Sequence, residues 1–209
     1  AAEAWCVQKS NFASRRGRLT RADRIANQLL DIVELHDPPI ENEESGLRIR
    51  RARPDESKLL TQLERAASEE ALAHIFPPHQ YPYPAGAVTR RWRRELRDPL
   101  MHAYLLEVQD TPVGYVAFNE NTVHHLGIVP NQHRRRYGTA LLDFACMEIF
   151  AGGAREAFCW VLTDNHVARA FYRARGWTET GERRHSEYPP QPQSLQMMCK
   201  NPHAPRRSR

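Results

Sequence analysis

The sequence predicts a mixed α/β domain, with a largely antiparallel central sheet of about six to seven strands flanked by about four helices. Three observations carry that expectation. Extended, β-favouring segments are interleaved with segments of helical spacing in the order β, α, α, β, β, β, α, β, α, β, β, which lacks the regular alternation of a parallel βαβ sheet. Two neighbouring strands, His102 to Val108 and Val113 to Asn119, are joined by the turn Gln109 to Pro112, as in a hairpin. Finally, residues 123 to 142, VHHLGIVPNQHRRRYGTALL, read as a strand, a basic turn and a helix.

Residues 1 to 45 read as an N-terminal extension. A helix is expected from Arg21 to about Leu35, with Thr20 as N-cap and Ile25, Leu29, Ile32 and Val33 on its apolar face. Asp37-Pro38-Pro39 ends it, and Glu41 to Gly46 read as an acidic linker. The main domain spans 46 to 200. Leu47-Arg48-Ile49-Arg50 alternates as a strand does, and Arg53 to Glu56 turn into a helix running from Asp55 to about His74. Leu59, Leu63, Ala67, Leu72 and Ile75 form its expected buried side. The loop IFPPHQYPYPAGA follows, then a helix from Val88 to Leu96 holding Trp92, stopped at Arg97-Asp98-Pro99.

After the hairpin and the strand Val123 to Val129, Pro130 removes a backbone donor and ends the strand. The next helix carries Leu141, Leu142, Ala145, Ile149 and Phe150 at helical spacing and breaks at Gly152-Gly153. A strand from Ala157 to Leu162 leads to Asp164-Asn165, which caps a helix from His166 to about Arg175 stopped by Gly176. Trp177 to Arg183 and Ser194 to Lys200 read as two last strands, and 201 to 209 as a basic tail.

A chain of 209 residues with 41% hydrophobic and 26% charged content has the composition of a globular domain that builds its own core. No apolar run approaches the roughly 20 residues that span a bilayer, so no membrane partner is expected. No leader pattern stands at the N-terminus, and a cytoplasmic location is the expectation. Cys6, Cys146, Cys159 and Cys199 lack CxxC spacing, and no ligand set completes His124, His125 and His133, so neither disulfides nor a metal are expected. The net charge of +5 favours anionic ligands. The arginine runs, Arg15 to Arg18 and Arg206 to Arg209 among them, have no interleaved aromatics to stack bases, so nucleic acid is not an expected partner.

The basic turn is the most informative stretch. The first amides of a helix have no intrahelical partner and carry the positive end of its dipole, so they attract anions. Arg134, Arg135 and Arg136 add charge, and a phosphate or pyrophosphate is the expected ligand.

Over about residues 47 to 200 the chain resembles the GNAT superfamily of N-acetyltransferases. The segment LGIVPNQHRRRYGTALLD resembles its acyl-CoA signature, R/Q-x-x-G-x-G/A. The segment TDNHVARAFYRARGW resembles its N-x-x-A-x-x-F-Y-x-x-x-G-F/W helix. The preferred register places Gly138 at the second glycine, His133 at the R/Q position and Arg136 at the first glycine; a later register reads Arg135, Gly138 and Ala140. Arg136 is tolerated there if its φ is negative, whereas a positive φ would strain it and weaken CoA binding.

The resemblance implies an acetyl-CoA-dependent N-acetyltransferase acting on an amine of a small molecule or peptide. It implies that the backbones of Leu126 and Ile128 pair with the pantetheine arm, and that the amides of His133, Arg134, Arg135, Arg136, Tyr137, Gly138 and Thr139 hold the pyrophosphate. Asn165, Ala168 and Phe171 would contact the pantetheine, and Tyr172 would be the general acid. Relatives often carry a basic carboxylate where this chain has Thr122. On an unbroken strand Glu120 and His124 flank that position on one face, so they are the candidate bases, and His125 faces away unless a bulge intervenes. The acceptor is expected at the 75 to 87 loop, against Tyr81 and Tyr83, with Glu187 and Tyr188 closing the other side. Dimers are common in the superfamily, so a homodimer is allowed. The alternative reading is a GNAT-like acyl-CoA sensor or interaction module with little turnover.

Overall fold

The computed structural model describes residues 40–42 and 46–204. The helix expected over 21 to 35, Cys6, the Arg15 to Arg18 run and the basic end at 206 to 209 lie outside the described residues. The elements are β1 (Ile40–Asn42), β2 (Leu47–Arg51), α1 (Ser57–Ser68), α2 (Ala85–Glu95), β3 (His102–Val108), β4 (Thr111–Phe118) and β5 (Thr122–Ile128). They continue with α3 (Tyr137–Ala151), β6 (Glu156–Leu162), α4 (His166–Arg173), β7 (Thr178–His185) and β8 (Gln193–Lys200).

All strands join one sheet in the order β1-β2-β3-β4-β5-β6-β8-β7. Every neighbouring pair is antiparallel except β5 and β6. The mixed, largely antiparallel sheet with four helices is therefore the expected fold. Its eighth strand, β1, pairs Ile40 with Ile49 and Asn42 with Leu47, in part of the segment read as an acidic linker. The first helix is also shorter than expected. It ends at Ser68 and the chain continues to Ile75 in turns.

Period-two alternation divides the core into two layers. Leu106, Val113, Val116 and Phe118 point to one face with Leu141, Leu142, Phe144 and Ile149 of α3 and Tyr172 of α4. Ala103, Leu105, Tyr115 and Ala117 point to the other, against Leu60 and Leu63 of α1 and Val88 and Trp92 of α2. Leu60, not Leu59, is the side chain α1 buries completely. Among the described residues, no helix is long and apolar enough to cross a membrane.

Candidate functional site

β5 meets β6 at only two positions, Thr122↔Phe158 and Val123↔Cys159, and then the strands part. Which backbone groups this opens follows from the pairing with β4. Val129 donates its N–H to the Val113 carbonyl at 2.9 Å, and Gly114↔Ile128 and Val116↔Leu126 are the alternate pairs. In an antiparallel ladder the alternate pairs turn their N–H and C=O groups outward. The backbones of Leu126 and Ile128 therefore face the gap left by β6, an unfilled strand edge. Gly127 lies between them because a Cβ there would stand 2.6 Å from the Tyr115 hydroxyl oxygen.

The register of β5 shifts by one residue, since Phe118 pairs with Val123 while Ala117 pairs with His125. His124 is the extra residue of a β-bulge. The strand is thus not the unbroken one assumed for placing the base. Val123, Leu126 and Ile128 all face the α3 layer, and His125 turns instead toward α2. Glu120 is exposed in the turn ahead of β5, outside the strand. His124 is exposed at residue level, its ring centroid 6.2 Å from that of His125. Partial desolvation, then the charges of His125 and Arg184, hold its pKa below the usual value.

His125 sits in a charged network that sequence reasoning missed. Its Nε2 lies 3.1 Å from Glu95 Oε2, and its ring packs 4.8 Å from that of Trp92. Burial opposes the charge on Glu95, but the hydrogen bond to His125 and the charges of His125 and Arg91 outweigh it and keep the carboxyl below its usual range. A carboxylate only accepts, so Nε2 carries the ring proton and Nδ1 is left with the lone pair when the ring is neutral. Arg91 stands 3.6 Å from Glu95 and also pairs with Glu64, and Trp92 donates its indole N–H to Glu64 at 2.8 Å. A polar residue on the buried face of α1 (Glu64) and a Trp92/Glu95 pair one turn apart on α2 were the available signals.

Beyond Pro130 the chain forms a single 3₁₀ turn, Pro130–Gln132, and His133 folds back to place Nε2 2.9 Å from the Ile128 carbonyl. Arg134 and Arg136 both have positive φ, 62° and 66°. Arg136, as N-cap of α3, makes no side-chain cap, and the first helical bond is Ala140 N–H to the Arg136 carbonyl. The amides of Tyr137, Gly138 and Thr139 are consequently without intrahelical partners, beside three exposed arginines. The negative φ that would have made Arg136 easy to accommodate is not what the structure adopts. A left-handed non-glycine residue costs about 1 kcal/mol. Arg136→Gly should therefore stabilise the fold by about 1 kcal/mol at most, read as a higher urea midpoint with unchanged slope.

α4 abuts this turn. Phe171 lies 3.5 Å from where a Gly138 Cβ would be, and Arg175 stacks on Phe171 at 3.9 Å while donating to the Thr139 hydroxyl. Asn165 caps α4, its Oδ1 accepting from Ala168 N–H at 3.0 Å. Tyr172 is buried against Trp177 in the core layer that also holds Cys159, the residue of β6 at the last rung before β5 and β6 part. Burial pushes its phenol well above the usual pKa, so it keeps its proton. Burial likewise pushes the Cys159 thiol up to about 12, which leaves it unreactive.

On the α2 side of the sheet a cavity of about 530 Å³ opens between α1, the 76 to 84 loop and Tyr188-Pro189. Tyr81, Tyr83 and Tyr188 line it, as do Leu72, Phe76 and Val88. Glu64 links it to the bulge through Trp92 and His125. His74 Nε2 lies 3.0 Å from the Asp164 carbonyl, tying the segment that bears Leu72 and Phe76 to the residue before Asn165.

The sequence profile of the acetyltransferase (GNAT) family matches residues 67–177, more than half of the chain. Solved structures share the fold. A GCN5-related N-acetyltransferase from Rhodopseudomonas palustris superposes with a TM-score of 0.63 at 20% identity, covering 73% of this chain and 94% of that one. The PaiA N-acetyltransferase of Thermoplasma acidophilum, in complex with coenzyme A, gives 0.58 at 16% identity, covering 74% and 99%. The ribosomal-protein-S18-alanine N-acetyltransferase of Escherichia coli gives 0.59 at 16% identity, covering 78% and 99%. No curated protein matches in sequence. With the parted strands, the basic turn and the profile match over the same stretch of chain, the protein belongs to the GNAT family of acetyltransferases.

Proposed function

We propose that the protein transfers an acetyl group from acetyl-CoA to a primary amine of a small molecule or peptide by direct attack. The observation that carries this reading is the open edge of β5, where Leu126 and Ile128 face the gap left by β6 and the chain runs on into the first amides of α3, with Tyr172 in the core layer on the same face. The residues fit an acyl-CoA. An extended amide-bearing arm can pair with Leu126 and Ile128 as a strand would, and a pyrophosphate suits the turn from His133 to Thr139. Asn165 would use its amide nitrogen, since its oxygen caps α4, and Ala168 and Phe171 would supply apolar contact. Bound there, acetyl-CoA supplies the activated thioester carbonyl.

The side chains of this protein then divide the proton work. An amine must be neutral to attack, and His125 is the favoured base because Glu95 fixes its tautomer and it faces the cavity side of the sheet. His124, one residue away on the bulge and held toward its neutral form, is the second candidate, and Glu120 the more distant third. The backbone N–H groups facing the gap would polarise the carbonyl. Tyr172, which the resemblance puts in the general-acid role, keeps its proton and would hydrogen-bond the departing thiolate, although burial makes it a weaker acid than a free phenol. Tyr81 and Tyr83 would hold the acceptor.

Calorimetric titration with acetyl-CoA, followed by thiol release against amines, tests the reading. Binding with turnover is expected. Binding without turnover on a broad panel would favour an acyl-CoA sensor, the reading to which the left-handed Arg136 lends weight, and no binding would end both. Tyr172→Phe should lower kcat about 10²-fold with acetyl-CoA affinity nearly unchanged; an unaltered kcat would remove Tyr172 from the acid role.

A further inference from the structure

We infer that the acceptor is a small monoamine with an aromatic or branched apolar body, rather than a polyamine or a peptide N-terminus. The inference rests on the acyl-transfer reading above and concerns the cavity on the α2 side of the sheet. Its volume, about 530 Å³, is that of a small-molecule site. Its walls are aliphatic or aromatic on several sides, with Leu72, Phe76 and Val88 facing prolines and tyrosines of the 76 to 84 loop.

Glu64, Glu69 and Ser68, among the polar groups that line it, are already engaged, while Gln80, Tyr81 and Tyr188 add their polar ends to the walls. The Glu64 carboxylate accepts from Arg91 and from the Trp92 indole. Glu69 accepts twice from Arg65, at 2.9 and 3.1 Å. The Ser68 hydroxyl donates back to the Glu64 carbonyl at 2.6 Å. Tyr83 is held in its neutral form by burial and by the nearby Glu64 charge. Both carboxylates are thus paired with their own arginines, Glu64 through Oε2 and Glu69 at the exposed rim, so a further cation would compete with those arginines for them.

A polycation entering this volume would have to displace Arg91 or Arg65 from Glu64 or Glu69 to find counter-ions, which is unfavourable. A peptide would bring a run of backbone N–H and C=O groups to walls where the side chains of Gln80, Tyr81 and Tyr188 would have to partner them all. A monoamine avoids both penalties. Its apolar body would fill the space between Phe76 and Val88, with its single nitrogen directed to the side of the cavity where Glu64 meets Trp92 and, behind it, His125. The same apolar setting favours the uncharged amine, the form that attacks.

Three probes test this on the full chain: 2-phenylethylamine, spermidine and trialanine. With acetyl-CoA, kcat/KM for 2-phenylethylamine should exceed that for each of the others at least ~100-fold. Phe76→Ala should lower kcat/KM for 2-phenylethylamine on the order of 10-fold while leaving acetyl-CoA binding unchanged. Direct calorimetry of each amine supplies a readout independent of turnover. A preference for spermidine or trialanine, or no binding of 2-phenylethylamine, overturns this inference and leaves acetyl transfer standing. Binding of 2-phenylethylamine weakened by Phe76→Ala, with no acetyl-CoA binding, upholds the cavity's specificity and overturns the acyl-transfer reading instead.

Discussion

His125→Ala is expected to lower kcat by about 10²- to 10³-fold, the usual contribution of a positioned base, while acetyl-CoA affinity changes less than about twofold. The expectation comes from geometry rather than from residue type. Alternation from Leu126 and Ile128 puts His125 on the α2 face, where Glu95 holds Nε2 at 3.1 Å and Trp92 packs the ring, and the bulge at His124 brings Val123 onto the opposite face with Leu126. Glu95 acts through His125 rather than on the substrate, so Glu95→Gln should lower kcat less, about 10-fold, again with acetyl-CoA affinity retained, and Glu95→Asp should restore part of it. His124→Ala is the control. Should His124→Ala abolish turnover and His125→Ala leave it intact, the roles of the two histidines are exchanged.

Gly138→Glu should weaken acetyl-CoA binding by at least ~100-fold, because it places a carboxylate among amides and arginines arranged for an anion. Gly138→Ala serves to separate charge from bulk. A Cβ at this position meets Phe171 at 3.5 Å and Ile128 at 3.7 Å, ordinary contact distances, so the alanine variant should bind almost as the parent does. Titration calorimetry of both variants checks this. Equal loss in both would mean that the site needs the bare backbone, and equal retention would place the phosphates elsewhere.

Much of the fold was legible because period-two and helical spacing determine it. The strands from β2 to β8 and the last two helices fall within a few residues of their expected limits. β1 escaped notice because three residues at an edge are too few for alternation to register, and Glu41 made them read as linker. The bulge was invisible for a different reason. Alternation in a sequence reports which residues are apolar, not where one strand carries an extra residue against its partner, and Val123-His124-His125-Leu126 is compatible with either phase. That single uncertainty set the face of Thr122 and Val123 relative to the histidines, and with it the position from which the base was placed. The Glu64, Arg91, Glu95 and His125 network was hidden because its members come from two helices and a strand, whose approach no local pattern encodes. The cavity fared better. Proline and tyrosine in the 75 to 87 loop pointed to it, although the pairing of its carboxylates, which decides its charge, required coordinates.

The parting of β5 from β6 also bears on how the protein holds together. Two rungs are all the backbone pairing between a half-sheet of five strands, β1 to β5, and one of three, β6, β8 and β7. Further coupling runs through α3, which lies across β4, β5 and β6, and through contacts such as that of His74 with the Asp164 carbonyl. A ligand seated in the gap would supply rungs that the chain itself lacks. It would join the halves into one continuous cooperative unit, so that occupancy would raise resistance to unfolding as well as enabling chemistry.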